Sequence, residues 1–385
     1  MQKQVGFLSH LDLNLYLFRT PIMKELIKKG IKVYAICPKG DKNRALKEIG
    51  CEVVNYDIRR ESINPFKEKQ AIDNIYQAIK DLDLDMIHTF TAKPNIYGTF
   101  AAKKANIPII LNLVEGLGSF YIHNTLKNIL IRNIMEKMYK KAFSLSDGCI
   151  FVNSDDPKYM VQKGIIKNKK VKIIKSVGVD TKKFDINRYS SQDIEKIKAK
   201  NNISKKVVVL MVARAIWDKG VKEFYESAKA LKQKYKDVEF ILVGPTDEGN
   251  HTCASKEYLQ SSNVKWLGLR DDIAELIAVS DIFVLPSYRE GLPVTLMEAT
   301  SMNKPIVTSD TVGCKDVVKD GYNGFLVPIK DSKTLSNKIE KLILDEKLRK
   351  KFGENGRKIA KEFFDIDKIV KQYMDYYSER GLLDV

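Results

Sequence analysis

In the stretch SYREGLPVTLMEAT, residues 287–300, two glutamates, Glu290 and Glu298, stand with seven residues between them. Carboxylates accept hydrogen bonds from hydroxyl groups, so acids at this spacing suit a ribose and a sugar flanking a diphosphate. Pro293 reads as a first-turn residue of a helix that runs through Leu296, Met297 and Ala299. Gly291 lets backbone approach a ligand closely, and the amides of Gly291, Leu292, Val294 and Thr295 are donors at a helix N-terminus. Glu298 falls about one and a half turns into the helix, too deep for the helix dipole alone to account for it.

A second pair of residues complements these acids. Arg214 lies just past the carboxyl end of the strand-like run VVVLMVA, and Lys219 follows five residues later at the start of a helix. Arginine supplies a planar fork of donors and lysine a mobile point charge, and both suit a diphosphate held near helix amides. The same spacing also fits a surface Arg and Lys beside Asp218.

Other chemistries lack their motifs. No GxGxxG follows the first strand, and no GxxxxGK[ST], HExxH or GxSxG occurs. DLDLD at residues 81–85 has the D-x-D spacing of a divalent-metal site. It falls at the amino end of a strand, opposite the ligand face of a parallel sheet, and is read as structural. Asp365 and Asp367 are read as a helix start. No metal and no cofactor is expected.

The elements that must position these residues alternate along the chain. Strand-like runs are expected at 5–9, 32–37, 51–56, 85–90, 107–113 and 148–153, separated by helical spacing, with Asn64 as an expected N-cap. The pattern pauses at 171–192 and restarts at 206–215, 238–244, 264–268, 281–286, 305–309 and 324–328. Strand–helix alternation of this kind means parallel sheets covered on both faces. Two such halves place ligands at the carboxyl ends of the strands, in a cleft between domains.

With 385 residues, 44% of them hydrophobic and 30% charged, the chain suits two well-packed domains. No apolar run is long enough to span a membrane, and the N-terminus enters a strand without a signal-like segment, so a cytoplasmic protein is expected. Five scattered cysteines without CxxC spacing argue against a disulfide framework or a zinc site. The net charge of +17 is uneven: residues 1–186 hold 32 Lys and Arg against 19 Asp and Glu. Such a half can face an anionic membrane or a phosphorylated substrate, and a Lys-rich solvated surface accounts for it as well. No nucleic-acid partner is expected, because the basic residues lack interleaved aromatics in any binding module.

The Arg214, Lys219, Glu290, EGLP and Glu298 constellation resembles the retaining glycosyltransferases whose mark is a Glu-x7-Glu motif. KSVGVDTKKF at 175–184 is similar to that family's interdomain stretch, so the likeness covers nearly the whole chain. The resemblance implies an α/β fold of GT-B type, two Rossmann-like domains facing each other across a cleft with a C-terminal helix packing back on the N-domain. The implied domains are 1–186 for acceptor and membrane, 187–362 for the nucleotide sugar, and 363–385 for the returning helix. It implies that Glu298 binds the donor ribose, Glu290 the sugar, and Arg214 with Lys219 the diphosphate of a UDP-sugar. The base would sit by Gly268, Leu269 and Arg270.

The N-terminal half narrows the resemblance. Glu115 in LVEGLGSFYI, with SHLDLNLYLFRTP at 9–21 and CASKEYL at 253–259, looks like the members that transfer N-acetylgalactosamine in bacterial protein N-glycosylation. This implies UDP-GalNAc as donor and undecaprenyl-diphosphate-linked N,N'-diacetylbacillosamine as acceptor, joined α-1,3. Glu115 would orient or deprotonate the acceptor hydroxyl, with Arg19, His88, Lys93 and Gly118 as acceptor-side residues. The alternatives are another UDP-hexose or UDP-HexNAc transferase of capsule or lipopolysaccharide synthesis, or a sugar-nucleotide epimerase. Residues 121–143 place Leu126, Ile129, Leu130, Ile134, Met138 and Tyr139 near one stripe with basic residues around it, readable as a membrane-surface helix or as a core helix. The expected location is the inner face of the cytoplasmic membrane, held peripherally.

Overall fold

Runs rich in Val, Ile and Phe become fully buried parallel strands, because helices cover both faces of each sheet. The computed structural model describes residues 2–58, 65–260 and 263–383. The chain forms two compact units, Met1–Val177 with Ile366–Val385, and Gly178–Asp365. Asn64, the expected N-cap, lies outside the described residues.

The first unit holds seven strands: β1 (Gln4–Leu8), β2 (Lys32–Cys37), β3 (Glu52–Asn55), β4 (Met86–Phe90), β5 (Ile109–Val114), β6 (Gly148–Phe151) and β7 (Val171–Ile173). Their order is β3-β2-β1-β4-β5-β6-β7, all parallel, with Val5 in register with Val33 on one side and Met86 on the other. The order reverses direction between β1 and β4, and ligands of such sheets bind beyond the carboxyl ends at that point. β7 lies inside the stretch where the strand pattern pauses. Its three residues include Lys172, and Ile173 is 42% exposed, so an edge strand this short carries no hydrophobic signal.

The C-terminal helix Ile366–Glu379 belongs to the first unit. Its Tyr373, Tyr376 and Tyr377 are buried, and the Tyr377 hydroxyl lies 2.7 Å from His88 Nδ1 in β4. A π-helical turn at Ala360–Phe364 separates it from the helix Glu346–Ile359.

The second unit has six parallel strands: β8 (Val207–Val212), β9 (Val238–Val243), β10 (Lys265–Trp266), β11 (Ile282–Leu285), β12 (Ile306–Ser309) and β13 (Gly324–Val327). The order β10-β9-β8-β11-β12-β13 puts the reversal between β8 and β11. All residues of β8 and β11 are buried, so chemistry is confined to the loops that leave their carboxyl ends. Among the described residues no helix is long and apolar enough to cross a membrane.

Candidate functional site

In the second unit the loops after β8 and β11 are stitched together. Tyr288 N and Ser287 Oγ donate to the Asp218 carbonyl at 2.9 and 3.2 Å. Gly220, at φ +77°, follows the turn Trp217–Lys219, and a Cβ there would lie 2.2 Å from the Pro286 carbonyl oxygen. Only glycine combines that left-handed conformation with so close an approach. The result brings Lys219 Nζ to 2.5 Å from Glu290 Oε1, both side chains largely buried.

Glu290 is held from behind as well, its amide donating to the Val312 carbonyl at 3.1 Å. Gly313, at φ +81°, lets that segment press against the Gly291 carbonyl, where a Cβ would sit 2.4 Å away. Pro293 occupies the N-cap of the helix Val294–Ser301, with ψ 113°, one position before the expected first turn. Its carbonyl accepts from both Leu296 and Met297, and the amides of Val294 and Thr295 therefore precede the first amide that donates within the helix. Leu292 is buried and anchors the loop.

Glu298 is half-buried on this helix. Loss of solvent around it pushes its carboxyl up to about 8, only partly offset by the Lys183 ammonium. One acid is thus paired to a lysine, and the other, desolvated on the helix that follows, favours its neutral form.

The remaining expected donor residues are placed differently. Arg214 Nη1 lies 2.5 Å from Asp247 Oδ2, in a pair with 45% of the Arg214 side chain exposed. Arg270 spends its guanidinium on Asp272, through Nε at 2.8 Å and through Nη2, and on Asn201. It therefore shapes its loop, while Leu269 beside it is 77% exposed. Gly268 accepts from the Gly244 amide at 2.8 Å, tying the loops after β9 and β10 together.

In the first unit Glu115 directly follows β5. Asn14 Nδ2 donates to both its carboxylate oxygens at 3.3 Å, and Arg19 Nη2 pairs with Oε1. Arg19 and His88 are fully buried, which corrects their expected place as direct acceptor ligands. Neither presents an atom at the surface, because Arg19 points inward to Glu115 and Phe90 and His88 to Tyr377. Burial, with the Arg19 charge nearby, lowers His88 well below its ordinary value and keeps its ring neutral. Lys93 is engaged by Glu68 at 3.0 Å, and Gly118 leads into the short turn Ser119–Tyr121.

Sequence reasoning missed Asn14, His10 and Thr91. His10 Nδ1 lies 2.6 Å from Thr91 Oγ1 across the β1–β4 switch point. Thr91 has φ +74°, a strained conformation for a β-branched residue and of the kind that collects at functional positions. The available signal was positional: His10 and Thr91 are polar residues just beyond strand ends.

The helix Leu126–Leu145 divides in two. Leu126, Leu130 and Ile134, four residues apart, are 87%, 63% and 52% exposed, whereas Tyr139, Ala142 and Phe143 are buried. The expected single stripe is thus a solvent-facing half followed by a core half.

The geometry has counterparts among known proteins. Residues 193–359 match the family model described as Glycosyl transferases group 1, and residues 4–153 match Glycosyl transferase 4-like. A Campylobacter jejuni protein, N,N'-diacetylbacillosaminyl-diphospho-undecaprenol alpha-1,3-N-acetylgalactosaminyltransferase, is 42% identical over 97% of this chain and 98% of its own length. An Escherichia coli UDP-Gal:alpha-D-GlcNAc-diphosphoundecaprenol alpha-1,3-galactosyltransferase is 27% identical over 82% of this chain and 81% of its own. The crystal structure of Anabaena HepE in complex with UDP aligns with a TM-score of 0.79 at 21% identity, covering 98% of this chain and 100% of that one. That likeness establishes the two-Rossmann, GT-B fold.

Proposed function

This chain belongs to the group 1 glycosyltransferases, and from that premise we propose that it transfers N-acetylgalactosamine from UDP-GalNAc to undecaprenyl-diphosphate-linked N,N'-diacetylbacillosamine. The linkage is α-1,3 and the anomeric configuration is retained, as a step in protein N-glycosylation. The observation that carries this reading is the 42% identity to the Campylobacter jejuni enzyme over nearly the full length of both chains.

The residues take roles their chemistry suits. Lys219, Arg214 and the amides at the start of the helix Val294–Ser301 stabilise the negative charge that develops on UDP as its bond to the sugar breaks. Lys219 already sits on a carboxylate, so diphosphate oxygens meet a cation held in place and not a free side chain. Glu290 binds the sugar and Glu298 the ribose, each as a partner for hydroxyls. The base packs beside Leu269 and the Gly268 backbone. The acceptor oxygen forms the new bond to the anomeric carbon, and Glu115 receives or orients its proton. No metal or cofactor enters this scheme.

The exposed half of the helix Leu126–Leu145 supports peripheral docking on the inner face of the cytoplasmic membrane. Leu126, Leu130 and Ile134 supply apolar surface, and Lys127, Arg132 and Lys137 supply attraction to anionic headgroups.

The Escherichia coli relative supports a second reading with galactose as the sugar. Competition of UDP-GalNAc, UDP-GlcNAc and UDP-Gal for transfer to the same lipid acceptor separates the two. Preferred transfer from UDP-GalNAc is expected, and preferred transfer from UDP-Gal overturns the donor assignment.

A further inference from the structure

Arg19 is an expensive residue to bury. Its side chain is fully enclosed, its Nε and Nη1 have no hydrogen-bond partner among the described residues, and its guanidinium carbon stacks 4.5 Å from the Phe90 ring centre. Its one ion-pair partner among the described residues is Glu115. A buried guanidinium served this sparsely contributes little net stability, and an apolar residue of similar volume is often neutral or better. The physical reason for such a group lies in what it does to its partner.

That partner is open on one side and gripped on the other. Glu115 keeps 28% of its side chain exposed at the carboxyl end of β5. Asn14 bonds both carboxylate oxygens at 3.3 Å, and Arg19 takes Oε1. Both donors come from successive turns of the one helix Asp12–Lys28. The carboxylate's orientation is therefore set by that helix and not by its own glycine-flanked loop.

We propose that Asn14 and Arg19 are positioning residues that hold the Glu115 carboxylate in the orientation that meets the acceptor hydroxyl. The proposal rests on the assignment of Glu115 to the acceptor. Neither residue touches substrate; each acts through Glu115 alone.

The test is a double-mutant cycle on the full chain, read as kcat for lipid-linked transfer, KM for UDP-GalNAc and Tm. Arg19→Met is expected to lower kcat about 10- to 100-fold, the scale of a misplaced reacting group, while donor KM stays unchanged and Tm is level or higher. Asn14→Ala lowers kcat several-fold, and this half-buried position carries the cycle by itself if Arg19→Met does not fold. Combining either with Glu115→Gln gives no loss beyond Glu115→Gln alone, because the route through Glu115 is already closed. Losses that multiply with Glu115→Gln overturn the proposal. Wild-type kcat in both positioning variants, with Glu115→Gln impaired, overturns it while leaving the role of Glu115 standing. Wild-type kcat in Glu115→Gln itself removes the acceptor role of Glu115 and this proposal with it.

Discussion

Lys219 Nζ lies 2.5 Å from Glu290 Oε1, joining the loop after β8 to the loop after β11 across the switch point of the second sheet. In the proposed scheme the cation serves the diphosphate and the acid serves the sugar. Lys219→Gln is expected to lower kcat about 10²- to 10³-fold, the usual scale for removing one charge-stabilising donor, and to weaken UDP binding. Glu290→Gln leaves the lysine charge in place, so it lowers kcat while UDP affinity is kept or improved. Isothermal titration with UDP beside transfer kinetics reads both effects, and a Glu290→Gln protein that no longer binds UDP contradicts the division of roles.

Arg214 meets Asp247 at 2.5 Å in a partly exposed pair. A diphosphate must compete with that carboxylate for the guanidinium. Exposed pairs contribute about 0.2–1 kcal/mol, so Asp247→Asn is expected to tighten UDP binding by about two- to fivefold, with the gain shrinking as salt is raised. Unchanged affinity at low ionic strength places Arg214 away from the diphosphate.

Glu298 carries a pH signature. Its folded carboxyl, pushed up to about 8 from an ordinary value of 4.5, holds its proton where the unfolded chain releases it. The folded state therefore binds more protons across that window, and this residue lowers stability progressively as pH rises through it. Glu298→Gln removes the penalty. Its Tm is expected to exceed the wild-type value at pH 8 by a few degrees, on the scale of about 2–4 °C per kcal/mol, and to converge with it at pH 5. Calorimetry at the two pH values checks the sign, and a variant less stable at pH 8 than at pH 5 relative to wild type contradicts it.

Leu126, Leu130 and Ile134 stand exposed at four-residue spacing. Replacing Leu126 and Leu130 by Glu inserts charge into the face proposed to lie on the membrane. Sedimentation with vesicles containing anionic lipid is expected to lose most of the bound fraction, whereas transfer to detergent-dispersed acceptor persists. Equal vesicle binding by the variant excludes this face as the docking surface.

How far the sequence carried this picture depends on the physical range of each signal. The buried strands were legible because a parallel sheet demands nearly uninterrupted apolar runs, as in VVVLMV of β8, whose six residues are all buried. β7 was not, because an edge strand of three residues with a central lysine demands nothing of the kind. The meeting of Lys219 with Glu290 follows strand ends that the sequence marks, since spacing after a strand end is local. The pairing of Arg19 with Glu115 spans 96 residues in sequence, and only the folded sheet brings such partners together. The same holds for His88 with Tyr377, 289 residues apart. Arg19 and His88 therefore looked like ligand-facing residues, and their burial became visible only once the aromatic residues of the C-terminal helix were in place.

The central claim is tested most directly by incubating the protein with radiolabelled UDP-GalNAc and undecaprenyl-diphosphate-linked N,N'-diacetylbacillosamine, then extracting the lipid. The account predicts label in the lipid phase as a single added α-1,3-linked N-acetylgalactosamine, lost with Lys219→Gln. Label that stays wholly in the aqueous phase, with this acceptor present and the protein folded, contradicts it.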